Sequence, residues 1–101
     1  MVLMLLRVGE MRIKEKRTLK RIKVHLPVNY TILGEHKITV YEGTTYDISD
    51  SGICFYTDMP LQVGLTLKIQ IFQILDVPRI CIVRWNSMKS PNCWKVGVSL
   101  I

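Results

Sequence analysis

The stretch TTYDISDSGICFYT, residues 44–57, sets two runs of β-branched and aromatic residues on either side of a short polar segment. Val, Ile, Thr, Tyr and Phe suit a pleated, half-buried strand, whereas Asp, Ser and Gly supply turn chemistry. The pattern predicts strand, turn, strand. It gathers Asp47, Ser49, Ser51 and Gly52 where the chain reverses, with the spacing DxSxxG for Asp47, Ser49 and Gly52.

The same grammar extends in both directions. Val24, Leu26, Val28, Tyr30 and Ile32 alternate with polar positions, the period of two expected of a half-buried strand. Pro27 lacks an N–H, which suits a strand start or edge. Ile38 to Tyr41 and Thr44 to Ile48 read as β structure broken at Gly43 by a turn or bulge. Pro60 and Gly64 punctuate a turn. Leu65, Leu67, Ile69 and Ile71 then alternate with Thr66, Lys68 and Gln70. RICIVRW (79–85) and WKVGVSLI (94–101) supply two more strands joined by the polar loop NSMKSPN. Six or seven short strands without an amphipathic helix predict an all-β domain, a small antiparallel barrel or sandwich.

The chain has 101 residues, enough for one core. Its net charge of +6 is unevenly placed. Residues 1–25 carry eight cations against two acids, while residues 26–101 carry six of each. The excess therefore lies in a basic N-terminal arm, which suits an anionic partner: a membrane, RNA or a phosphorylated small molecule. KRTLKR at 16–21 concentrates four of those cations, with Arg17 and Arg21 at the spacing RxxxR.

Enzymatic chemistry finds no footing. His25 and His36 stand apart from any Cys or carboxylate at metal-ligand spacing. Ser49 and Asp47 have no positioned histidine, and no phosphate-cradling glycine loop occurs. No catalytic, metal or cofactor site is expected. Cys54, Cys81 and Cys93 are odd in number and lack CxxC spacing, which predicts reduced thiols and a cytoplasmic protein. Met1 to Leu6 is apolar but too short to span a membrane. It reads as an interfacial anchor, a lid, or more plainly an upstream start with natural translation from Met11.

RxxxR followed by DxSxxG, with these strands between and after them, resembles the PilZ domain, the family of bacterial receptors for cyclic di-GMP. LPVNY (26–30) looks like the family's first strand. TYDISDSGICF is similar to its strand-turn-strand centre, PLQVGLTLKIQI resembles its middle strand, and IVRW with VGVSL resembles its last two. The resemblance implies a six-stranded antiparallel barrel of the split-barrel type with ligand at its rim. Its domain would span residues 16–101, after an N-terminal extension at 1–15. It implies Arg17, Arg21, Asp47, Ser49 and Gly52 as ligand-binding residues, with Lys16, Lys20 and Ser51 as weaker candidates. Thr18 stands where many members carry a second Arg. Lys16, just before the first motif Arg, is compatible with a stacked ligand pair and a homodimer.

The chemistry of these residue types agrees. Arginine pairs with phosphate oxygens in a planar fork, and also stacks on a purine or bonds guanine O6 and N7. A carboxylate at Asp47 can accept from the guanine N–H edge, and the Ser49 hydroxyl can donate. Gly52 would permit a positive φ or a close backbone approach. The expected function is a non-enzymatic cyclic di-GMP receptor whose arm changes conformation and signals through a partner protein. Two alternatives stay open: a ligand-free PilZ-like interaction module, and a small barrel that binds single-stranded nucleic acid through the arm. Against the last, Trp85, Trp94, Phe55 and the tyrosines read as core or scattered positions rather than a basic-aromatic stripe.

Overall fold

The computed structural model describes residues 21–101, which contain seven strands and no helix. They are β1 (Ile22–Lys23), β2 (Pro27–Ile32), β3 (Tyr41–Ile48), β4 (Gly52–Thr57), β5 (Thr66–Gln70), β6 (Arg79–Ser90) and β7 (Cys93–Leu100). All pairings are antiparallel. Around the ring the order is β3, β2, β5, β6, β7, β4, and β4 returns to β3. The fold is thus a closed six-stranded antiparallel barrel plus the short β1.

β1 and β2 share one edge of β3. Ile22 and Lys23 oppose Ile48 and Asp47, while Pro27 to Tyr30 oppose Thr44 to Tyr41. Thr45 ties down the chain between them. Its backbone N–H donates to Leu26 O at 2.9 Å, its hydroxyl accepts from Leu26 N at 2.8 Å, and it donates to Val24 O. Arg21, at the mouth of β1, is therefore fixed by the register of β3.

The core is the barrel interior. Val28, Tyr30, Ile48, Ile53, Phe55, Leu67, Ile69, Val83, Val96 and Val98 fill it, all fully or nearly buried. Tyr30 stacks on Tyr41 at 5.3 Å and shares a 2.6 Å hydrogen bond with Thr57, so its phenol is not stranded in the core. Leu61, before β5, and Ile71, Ile74 and Leu75, after it, are also buried and close the two ends. Each fully buried side chain of this kind contributes about 1.5–3 kcal/mol, so the interior outweighs any single polar contact in holding the fold.

Several local expectations differ from the structure. β3 starts at Tyr41, leaves Ile38 to Val40 outside the sheet and runs through Gly43 without a break, because pairing of Val28 opposite Gly43 carries it. The irregularity comes later, between Thr45 and Asp47. NSMKSPN is not a loop: Asn86 to Ser90 continue β6 paired with β7, through a further register shift between Met88 and Ser90, up to Ser90 opposite Cys93. β1 is an extra strand that two residues of sequence could not announce.

Cys81 is fully buried, and burial pushes its thiol from 9.0 up to about 11. Tyr30 is also raised, first by burial. In the unfolded chain the Cys81 thiol ionises near 9.0, while the folded state holds its proton to about 11. Stability should therefore be full below that lower value and fall as pH rises through the window. Thermal melts across this range should show the decline, and Cys81→Ala should flatten it; an unchanged slope in that variant would refute the assignment.

Candidate functional site

A cleft of about 400 Å³ opens where β1, β3, β4, β6 and β7 meet. That volume lies within the range of small-molecule sites, about 300–1,000 Å³. Arg21 and Asp47 form one wall. Arg84 and Trp85 form the other, Cys54 and Gly97 lie between them, and Lys95 of β7 reaches to the Tyr46 ring beside Asp47.

Strict alternation would not produce these walls. Along β3, Thr45 points inward opposite Phe55, so Asp47 would follow it into the core. The register shift between Thr45 and Asp47 inserts Tyr46 as an extra residue. Asp47 then pairs with Cys54 on the cleft side, and Ile48 returns to the core opposite Ile53. β6 repeats the device. Val83 is buried opposite Val98, the register shifts between Val83 and Trp85, and Trp85 emerges opposite Gly97. A bulge of this kind bends a strand and re-aims a side chain. Here two bulges deliver two outward doublets, Tyr46–Asp47 and Arg84–Trp85.

Asp47 is largely buried but paired. Arg21 Nε donates to its Oδ1 at 2.9 Å, and Arg21 Nη2 lies 2.8 Å from the same oxygen. Both contacts fall on one carboxylate oxygen, so Oδ2 makes no hydrogen bond among the described residues. The Arg21 side chain is 48% exposed, which leaves part of its donor fork facing the cleft. Arg84 Nε donates to Ser99 Oγ at 3.0 Å, which orients the second guanidinium. The Cys54 thiol is pushed up, first by burial and then by the Asp47 carboxylate, so it stays neutral between the charged walls.

Glycine makes two close approaches possible. A Cβ at Gly97 would lie 2.3 Å from Trp85 indole atoms, so the indole rests directly on the β7 backbone. Trp85 is nevertheless 44% exposed, leaving part of a flat π surface open to the cleft. A Cβ at Gly52 would lie 2.7 Å from Val98 O. Of the two roles expected of Gly52, the structure bears out the close backbone approach, since positive φ occurs at Gly34 and Gly64 instead.

Of the residues singled out from the sequence, Arg21, Asp47, Ser51 and Gly52 line the cleft. Ser49 is buried behind it. Its backbone N–H donates to Gly52 O at 2.9 Å and its Oγ accepts from Ser51 N at 3.3 Å, so it shapes the turn that presents Ser51. Asp50 Oδ1 is buried and has no hydrogen-bond partner among the described residues. Lys16, Arg17, Thr18 and Lys20 lie outside those residues. Arg84, Trp85, Lys95 and Gly97 were not singled out. One signal was available: an isolated Gly within WKVGVSL marks a close approach to the strand.

Of the aromatics expected to be core or scattered, Phe55 and Tyr30 are core, but Tyr46 and Tyr56 are grouped beside two lysines. Tyr46 and Tyr56 meet edge to face at 5.8 Å on the outer face. Lys95 Nζ lies 3.7 Å from the Tyr46 ring centre and Lys23 Nζ 5.2 Å from it. The Tyr46 bulge and the β4–β7 pairing assemble this group, which the linear sequence scatters.

The family model for the PilZ domain matches residues 12–100, and the chain belongs to that family. No curated protein matches it.

The site generates two expectations. Arg21→Ala strands the Asp47 carboxylate without its ion partner. It should cost about 1–3 kcal/mol in denaturant unfolding, the penalty of an unsatisfied buried polar group. Gly97→Val should lift the indole off the sheet and red-shift tryptophan emission; an unchanged spectrum would contradict the contact.

Proposed function

We propose that this protein is a receptor for cyclic di-GMP, a non-enzymatic module that passes the binding signal to a partner protein. The observation that carries the reading is the pairing of opposites in one cleft. Arg21 and Asp47 form one wall, a second guanidinium and an exposed indole form the other, and a lysine completes the lining. A cyclic dinucleotide presents the matching set: anionic phosphates, flat purines and a donor-rich guanine edge.

Each group has a chemical task in this reading. Asp47 Oδ2 accepts from the guanine N–H edge while Oδ1 holds Arg21. Arg21 and Arg84 offer planar forks to phosphate or to guanine O6 and N7. Trp85 offers its face for stacking, and Lys95 can leave the Tyr46 ring for a phosphate. The Ser51 hydroxyl donates from the turn that Ser49 holds, and Gly52 lets β4 approach β7. Arg17 acts with Arg21 as the clamp, with Lys16 and Lys20 as auxiliary cations. Family membership supports this assignment.

A second reading draws on the group of Lys23, Lys95, Tyr46 and Tyr56. Cations interleaved with aromatic rings also suit single-stranded nucleic acid. The two readings separate cleanly. Nucleic-acid binding predicts a steep salt slope for oligonucleotides and indifference to Asp47→Ala.

Calorimetry on the full chain tests the lead reading. Cyclic di-GMP should bind, and cyclic di-AMP should bind far more weakly because its edge lacks the donors Asp47 requires. Arg21→Ala should weaken binding at least about tenfold, the loss of one charge-assisted hydrogen bond of roughly 1.5–3 kcal/mol. Trp85→Ala should remove a stacking contribution of about 1–3 kcal/mol. Absence of heat with cyclic di-GMP at micromolar protein would reject the proposal.

A further inference from the structure

The barrel carries a second concavity that the nucleotide reading leaves unused. It holds about 340 Å³ on the outer face of β2 and β5. Val40 bounds it on one side, and Phe72 and Pro78 on another. Asn29, Thr31, Lys68 and Gln70 form the floor. Apolar groups stand in water around it: Phe72 is 73% exposed, and Ile38, two residues before Val40, is 83% exposed. Val77, next to Pro78, is exposed as well. Exposed apolar side chains gathered at the rims of a concavity mark a contact surface.

The charges on this face say what covers it. Glu42 on β3 stands opposite Asn29 of β2, and Asn29 stands opposite Gln70 of β5. Lys68 lies two residues along β5 from Gln70, opposite Thr31. Glu42 and Lys68 therefore flank β2 on a diagonal of the same outer face, and both are exposed. Neither forms an ion pair among the described residues. A two-fold interface must be self-complementary: a residue that meets a second residue on the partner copy is met in return. A two-fold axis lying along the face, perpendicular to the Glu42–Lys68 line and passing over its midpoint, carries each of these residues over the other. The apolar rims then cover one another.

We propose that a second copy of this chain docks on the β2–β5 face, with Phe72 and Val40 at its apolar rims and reciprocal Glu42–Lys68 pairs across it. In the ring order, β2 lies three strands from β7, and β5 three from β4. The docking face is thus on the far side of the barrel from the cleft, and a dimer leaves both clefts open. The inference does not depend on the identity of the cleft's ligand.

Sedimentation of the full chain without nucleotide tests it. The wild-type chain should sediment as a concentration-dependent dimer. Phe72→Ser should shift it to monomer while leaving the circular dichroism spectrum unchanged, since this side chain is exposed. Glu42→Lys and Lys68→Glu, each alone, should weaken association at least about tenfold by placing like charges face to face. The double variant should recover it. A wild-type chain that stays monomeric overturns the proposal, as does a dimer indifferent to Phe72→Ser or a double variant no better than the singles. A chain that dimerises only after removal of residues 1–10 also overturns it, and points to that apolar segment as the occupant.

Discussion

A β-strand turns successive side chains to opposite faces, and a closed barrel assigns one of those faces to the core. No two neighbouring residues on a regular strand can then both face solvent. The cleft of this protein needs exactly what that rule forbids on two of its walls. The bulges of β3 and β6 resolve the conflict. Each inserts one residue, restores the core phase immediately afterwards, and leaves a pair of adjacent side chains outside. The cost is local, a lost ladder position on each strand. The gain is that Asp47 and Trp85 reach the cleft while Ile48 and Asn86 resume the inward positions behind them.

Closure also explains how such different segments meet. Arg21 precedes the barrel and Trp85 and Lys95 come late in the chain, yet they share one cavity because β4 lies between β3 and β7. The Arg21–Asp47 pair contributes less to the stability of the whole than the buried interior does. Its role is positional. Taking up one carboxylate oxygen and, among the described residues, leaving the other without a hydrogen bond, it sets an acceptor and a cation side by side at the cleft.

Much of the barrel was legible in the sequence because its strands carry the plainest of signals. Val28, Tyr30, Leu67 and Ile69 alternate as they should, and Pro27 begins its strand where a missing N–H does least harm. Asp47, Ser51 and Gly52 were legible through turn chemistry, and Arg21 through the charge excess and the family-like spacing. What stayed hidden followed from register. Period-two reasoning places Asp47 on the same face as Thr45 and Trp85 with Val83, and only the pairing of strands shows that it does not. The cation–aromatic group of Lys23, Tyr46, Tyr56 and Lys95 was hidden for the same reason, since four strands contribute to it and Tyr46 is itself the bulged residue of β3. Asn86 to Ser90 looked like a loop because polar residues on a protruding hairpin have no core to mark their alternation.

β1 is two residues long and, among the described residues, is hydrogen-bonded only to β3 within the sheet. Segments with so few bonds open at a small fraction of the free energy needed to unfold a domain. Peeling β1 away would draw Arg21 from Asp47 while the six-stranded ring stayed shut. Arg21 is therefore held at the margin of the sheet, whereas Asp47, Trp85 and Lys95 belong to strands of the closed ring.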